Sequence, residues 1–208
     1  MNSEMLENTV NRDFLIKTGH EIVNILTPFE HLEYLDDDAV AARVARGIRL
    51  GKQLGILGRI VNSAENTDNP YSFNEFICNI NARCRRLGLN AAIENRNYLS
   101  IDSIKNRFLV DTAVDEIIMN WKTHGNGEFI LSIVSEKEIV FRNDYTETPF
   151  IKQNAGTLKD FLAQPFVKRK TGPGAGLGLF IVETASLKGD FNWTLSADEK
   201  YFSLSLFF

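Results

Sequence analysis

The chain has 208 residues, 44% of them hydrophobic and 24% charged, with a formal net charge of −4. This is globular composition, long enough for one or two hydrophobic cores, and its negative balance excludes the basic footprint of a nucleic-acid binder. No stretch approaches the roughly 18 apolar residues of a spanning helix, and "MNSEMLENTVNRD" is too acidic and too polar for a secretory leader. Cys78 and Cys84 form no CxxC pair and have no histidine beside them for a zinc site. The expectation is a cytoplasmic protein with reduced thiols and no membrane span. Basic residues gather in "RCRRLG" and "KRKTG", and such runs are usually solvated faces.

In chain order, the first predicted element is a long helix from Asn11 to Leu35. Leu15, Thr18, Ile22, Ile25, Phe29 and Leu32 follow a 3-4-3-4-3 spacing, a heptad seam. The aspartates of "YLDDDAV" stop this helix and cap a second one, which runs from about Ala39 to Ser63. Val40, Val44, Ile48, Leu54, Leu57 and Val61 give that second helix an apolar face. Gly47, Gly51 and Gly55 recur every four residues along it. Glycine weakens a helix by about 1 kcal/mol relative to alanine, so the row implies a compensating benefit, close approach of another helix. Two helices cannot bury both stripes alone. Two such hairpins pairing into a four-helix bundle, hence a homodimer, is the expected solution. His20 falls opposite the seam, on the outward face.

"ENTDNPYS", residues 65–72, reads as a linker, which divides the chain into a hairpin over 1–66 and a second domain over 72–208. Ser72 and Glu75 form a capping box for a helix ending at Gly88. "NAAIENRNYLSID" has strand character, and "FLVDTAVDEIIMNWKTHG" reads as a helix. "GEFILSIVSEKEIVFRND" reads as two strands about a turn at Ser135–Lys137. A less regular stretch covers 145–174. A glycine-rich turn then opens a helix to about Leu187, and strands over 191–196 and 201–207 close the chain. Strands and helices mix without strict βαβ alternation, so the fold class is α+β, a sandwich with helices on one face of a mixed sheet.

The glycine-rich turn is "RKTGPGAGLGLFIVE", with Gly172, Gly174, Gly176 and Gly178. Glycine-rich turns before helices suit phosphate, because helix N-terminal amides attract anions. A dinucleotide fingerprint needs a strand just before the turn and a βαβ unit after it; here an irregular stretch precedes it. A phosphate-binding P-loop needs lysine and Ser/Thr after the last glycine, and Leu179 and Phe180 stand there. Both are excluded.

"GAGLGLFIVE" resembles the last glycine box of the GHKL-type ATPase family shared by histidine kinases, gyrase, the Hsp90 chaperones and MutL, and its form is closest to the sensor histidine kinases. "AQPFVKRKTG" resembles that family's lid segment, "VDEIIMNWKTH" its N box, and "GHEIVNILTPF" the H box of the kinase hairpin. The resemblance spans almost the whole chain. It implies a dimerisation and histidine-phosphotransfer hairpin followed by a GHKL-like ATPase domain.

By the same resemblance, His20 is the phosphoacceptor, with Glu21 and Asn24 beside it. A neutral imidazole is a competent nucleophile. An adjacent carboxylate can fix its tautomer and take its proton, and Asn24 lies one turn on along the same face. Cofactors implied are ATP and Mg²⁺. Asn120 is the Mg²⁺ ligand, one turn after Glu116; Lys168, Arg169 and Lys170 face phosphate; Gly174, Gly176 and Gly178 close over it. The first glycine box, which selects adenine with an aspartate after a strand, is degenerate. Asn143 or Asp144 takes the aspartate's place, and the next glycine is Gly156. Trp121 stands where a small residue is usual. In the hairpin, Val23 and Ile25 replace the usual basic residue and proline, with Pro28 further on.

Three functions fit. One is a histidine phosphotransfer protein that accepts phosphate on His20 and donates it to response-regulator receiver domains. Another is an active cytoplasmic ATP-dependent histidine autokinase. The third is a non-enzymatic dimer that binds and inhibits a kinase or a receiver.

Overall fold

The computed structural model describes residues 37–63, 72–94, 104–125, 128–135, 137–144, 158–165, 176–198 and 201–208, together with Thr18. Thr18, on the heptad seam, is helical and buried; the rest of the first predicted helix lies outside the described residues.

Helix α1 (Asp37–Asn62) opens with Asp37 and Asp38 in its first turn and closes with Arg59 in its last, the charge order that opposes the helix dipole. Helix α2 (Phe73–Arg86) begins at the expected capping box, in which the Ser72 hydroxyl accepts from the Glu75 N–H and the Glu75 carboxylate accepts from the Ser72 N–H. It ends before Gly88, whose φ of 70° is left-handed. Strand β1 (Ala91–Glu94) follows. Helix α3 (Arg107–His124) starts after Asn106. Asn106 has φ 51°, a left-handed conformation that asparagine tolerates better than most residues. Strands β2 (Phe129–Ser135) and β3 (Glu138–Asp144) make the expected hairpin. The short helix α4 (Leu158–Leu162) lies within the stretch read as irregular. Helix α5 (Gly178–Gly189) and strands β4 (Asn192–Ala197) and β5 (Tyr201–Phe207) complete the chain.

Among the described residues five strands form one sheet, in the order β1-β2-β3-β5-β4. Only β1 and β2 run parallel; the other neighbours are antiparallel. Alternation decides what each face carries. Phe129, Leu131, Ile133, Ile139, Phe141, Trp193, Leu204 and Leu206 are buried on one face and share a single core with α2, α3 and α5. Val134, Thr194 and Ser196, of opposite parity, are exposed. The class is α+β, with helices on one face of a mixed sheet, as the sequence led us to expect. Arg83 ties α2 to α3 through ion pairs with Asp111 and Asp115. Asn106 ties α3 to the end of α5 through a 2.8 Å bond from its amide to the Gly189 carbonyl. Both cysteines are free, Cys84 buried and Cys78 exposed.

The buried face of α1 differs from the one expected. Val44, Ile48 and Val61 are exposed, and Leu57 alone of the expected apolar set falls among the fully buried residues. The covered stripe is Leu50, Gln53, Leu57 and Ile60, again at 3-4-3 spacing. Packing sets the choice: this stripe joins the core formed with α3 and α5. The glycine row points elsewhere. Nothing among the described residues lies within 4 Å of a Cβ placed on Gly51, Gly55 or Gly58.

Candidate nucleotide and cation site

Helix α3 divides its faces by chemistry. Leu109, Ala113, Ile117 and Trp121 recur at intervals of four residues and are buried. Glu116 and Asn120, also four apart, meet the start of α5. A Cβ on Gly178 would lie 3.1 Å from the Asn120 Nδ2, from its Oδ1 and from Glu116 Oε2. Glycine therefore lets the first turn of α5 come against two polar side chains. Gly176, with φ 77°, makes the turn into it. Among the described residues no side chain caps α5, and helix N-terminal amides without a cap favour an anion.

The Asn120 carboxamide makes no hydrogen bond among the described residues. Thr112 and Thr123 on the same helix behave otherwise, each bonding the carbonyl four residues back. Glu116 is only 7% exposed. Burial pushes its carboxyl above the usual range of 4.5, opposed by a hydrogen bond from Gln53 and by the Arg49 charge. Gln53, 3% exposed, reaches it from α1 with a 2.9 Å bond from Nε2 to Oε2. Arg49 Nη1 lies 3.5 Å from Thr123 Oγ1, next to this contact. Hard oxygens from an asparagine and a glutamate, beside an anion-favouring helix start, fit Mg²⁺.

The other expected site residues separate. Asn143 shares the helix-facing side of the sheet with Phe129, its cross-strand partner, and its Nδ2 donates to the Asp144 carbonyl. Asp144 points to the opposite face, where its Oδ1 is buried and has no partner among the described residues. Trp121 packs on Phe129 with ring centroids 4.7 Å apart, and Phe129 on Phe141 at 5.9 Å. The indole thus lies in the core, against the strand end that carries Asn143. His20, Glu21, Asn24, Lys168, Arg169, Lys170 and Gly174 lie outside the described residues. Among the described residues no three His, Cys, Asp or Glu side chains gather as metal ligands, and no helix is long and apolar enough to cross a membrane.

No sequence motif marks Gln53. Its signal was present, as a polar residue in the row Leu50, Leu57, Ile60. That row had to be recognised as a buried stripe before the glutamine could stand out.

No protein-family model and no curated protein sequence matches the chain. Solved structures do. The chain is similar to the Acinetobacter baumannii histidine kinase AdeS, with a TM-score of 0.55 and 14% identity, over 95% of each chain. It is also similar to a mycobacterial sensor histidine kinase, MprB, with a TM-score of 0.52 and 17% identity, over 66% of this chain and 94% of that one. At such identities the likeness concerns the backbone, and the fold of this chain is that of a histidine kinase catalytic core.

Proposed function

We propose that the chain is a two-component phosphotransfer protein that accepts and donates a phosphoryl group through His20, working as a homodimer of its N-terminal hairpin. A ring nitrogen of neutral His20 attacks the phosphorus of a receiver's aspartyl phosphate. The N–P bond forms as the acyl P–O bond breaks, the receiver's carboxylate leaves, and Glu21 takes the remaining ring proton. Transfer to a second receiver runs the same steps in reverse. Asn24 orients the phosphoryl oxygens. One feature of β3 supports this route over one that starts from nucleotide: Asp144 faces away from the helices, so it offers no carboxylate on their side of the sheet.

The observation that supports the family of functions most strongly is the open Asn120 carboxamide beside Glu116 and Gly178 at the start of α5. It favours a second reading, the ATP-dependent autokinase. Bound ATP with Mg²⁺ would supply the phosphoryl group and neutralise its charge. The chain's part is then to hold the cation with Asn120, to set the α5 amides and Gly176 against phosphate, and to balance charge with Lys168, Arg169 and Lys170.

One experiment separates the readings. The protein is incubated with γ-labelled ATP and Mg²⁺, and separately with a phosphorylated receiver domain, and acid-labile label is sought with His20→Gln as control. Label from the receiver alone supports the relay. Label from ATP selects the autokinase. Binding without label in either case, unchanged by His20→Gln, rejects both and leaves the non-enzymatic dimer.

A further inference from the structure

Gln53 presents an imbalance. Its Nε2 is bonded to Glu116 Oε2, whereas its Oε1 is buried and has no hydrogen-bond partner among the described residues. Leaving a buried acceptor unpaired costs about 1–3 kcal/mol. Leucine at this position would continue the stripe of Leu50, Leu57 and Ile60 without that cost. That oxygen belongs to the same carboxamide that touches Glu116, and Glu116 Oε2 and the Asn120 carboxamide both lie 3.1 Å from where a Cβ on Gly178 would stand.

We propose that Gln53 supplies a third protein oxygen to the cation site, delivered by α1 only while that helix is docked; this rests on the reading of Asn120 as a Mg²⁺ ligand. A half-turn of the carboxamide exchanges Nε2 for Oε1 at no change in volume. Glu116 Oε2, freed from the N–H donor, would then be open to a cation. Asn120 Oδ1, a Glu116 oxygen and Gln53 Oε1 would hold the cation, a hard oxygen set that suits Mg²⁺ beside phosphate. Helix α1 is held in place by Leu50, Leu57 and Ile60, by Arg49 near Thr123, and by a 3.3 Å bond from Lys188 Nζ to the Val61 carbonyl. Cation occupancy and the docking of the hairpin's second helix therefore stabilise each other.

The test uses the full chain. Mg²⁺ binding is measured by calorimetry in the presence of a non-hydrolysable ATP analogue, and thermal melting is followed with Mg²⁺ alone, for wild type, Gln53→Glu, Gln53→Leu and Asn120→Ala. Gln53→Glu places two carboxyl groups together. It should melt below wild type without Mg²⁺, recover with it, and bind Mg²⁺ about tenfold more tightly. Gln53→Leu should bind several-fold more weakly, and should Gln53→Leu fail to fold, Gln53→Glu decides alone. Affinities and Mg²⁺-dependent melting that match wild type in both Gln53 variants, while Asn120→Ala loses binding, overturn the role of Gln53 and spare the cation site. A wild-type chain that takes up no Mg²⁺ with the analogue, or loses none on Asn120→Ala, overturns the cation reading and this inference with it.

Discussion

The two ends of the α3–α5 pair each carry a glycine at the point of closest approach, and they differ in everything else. At one end Gly189 faces Phe191 and Leu109, and the Asn106 amide locks onto the Gly189 carbonyl. At the other end Gly178 faces Asn120 and Glu116, and among the described residues that carboxamide is unpaired and the helix start uncapped. The same backbone device serves two purposes. Where the neighbours are apolar it closes the core. Where they are polar it brings oxygen donors and free amides to one place. A close-approach glycine is thus informative about function only through the residues it touches.

The apolar end should give the largest effect on stability. A Cβ on Gly189 would stand 2.6 Å and 2.8 Å from two ring atoms of Phe191 and 3.3 Å from Leu109 Cβ. The ring is buried, so Gly189→Ala should lower unfolding stability by about 2–3 kcal/mol, in the upper part of the overpacking range. Urea unfolding measures this, and a loss below a few tenths would show that α5 shifts to make room. Asn106→Ala comes next. It forces alanine into a left-handed conformation and removes the bond to Gly189, a loss of about 1–2 kcal/mol. Asn106→Gly keeps the conformation and should lose about half as much. Equal losses would mean that the bond alone matters.

How much of this contrast could be read from sequence depends on how local each feature is. The Ser72–Glu75 capping box needs four consecutive residues, and it forms as read. The β2–β3 hairpin and the helix after the glycines are also short-range patterns, and they stand within a residue or two of expectation. Helix α1 carries two stripes at heptad-like spacing, one with Leu50, Leu57 and Ile60 and one with Val44, Ile48 and the glycines. Nothing local says which of them α3 and α5 will cover. Gln53 was hidden for that reason. Asn143 and Asp144 stayed alternatives because their faces depend on strand register, which fixes Asn143 opposite Phe129. Asn120 was picked out by its motif, but whether its carboxamide was already engaged is a matter of geometry alone.

The polar end should tolerate a methyl better. Gly178→Ala puts a Cβ 3.1 Å from flexible carboxamide and carboxyl atoms, which can yield by a few tenths of an ångström. Alanine also favours the helix by up to about 1 kcal/mol. Stability should therefore change by less than about 1 kcal/mol, while binding of Mg²⁺ with a non-hydrolysable ATP analogue falls at least tenfold, because the methyl group occupies the approach to Asn120. A Gly178→Ala chain as damaged in unfolding as Gly189→Ala would erase the distinction between the two ends.

The smallest effect concerns the proton on Glu116. Burial raises its folded pKa above 4.5, so over a window above that value the folded chain holds a proton that the unfolded chain has released. The stabilisation this carboxyl contributes is complete below 4.5 and declines as pH rises through the folded value. Glu116→Gln removes the titration while keeping a partner for Gln53, since two carboxamides pair as donor and acceptor. The difference in stability between wild type and Glu116→Gln should therefore move in favour of the variant as pH rises from 4.5 to 7.5, the smallest change of those predicted. Urea unfolding at the two pH values measures it. A difference that stays flat, or that moves in favour of wild type, would mean that Gln53 and Arg49 already outweigh burial, and the polar end of the α3–α5 pair would then hold a settled anion ready for a cation.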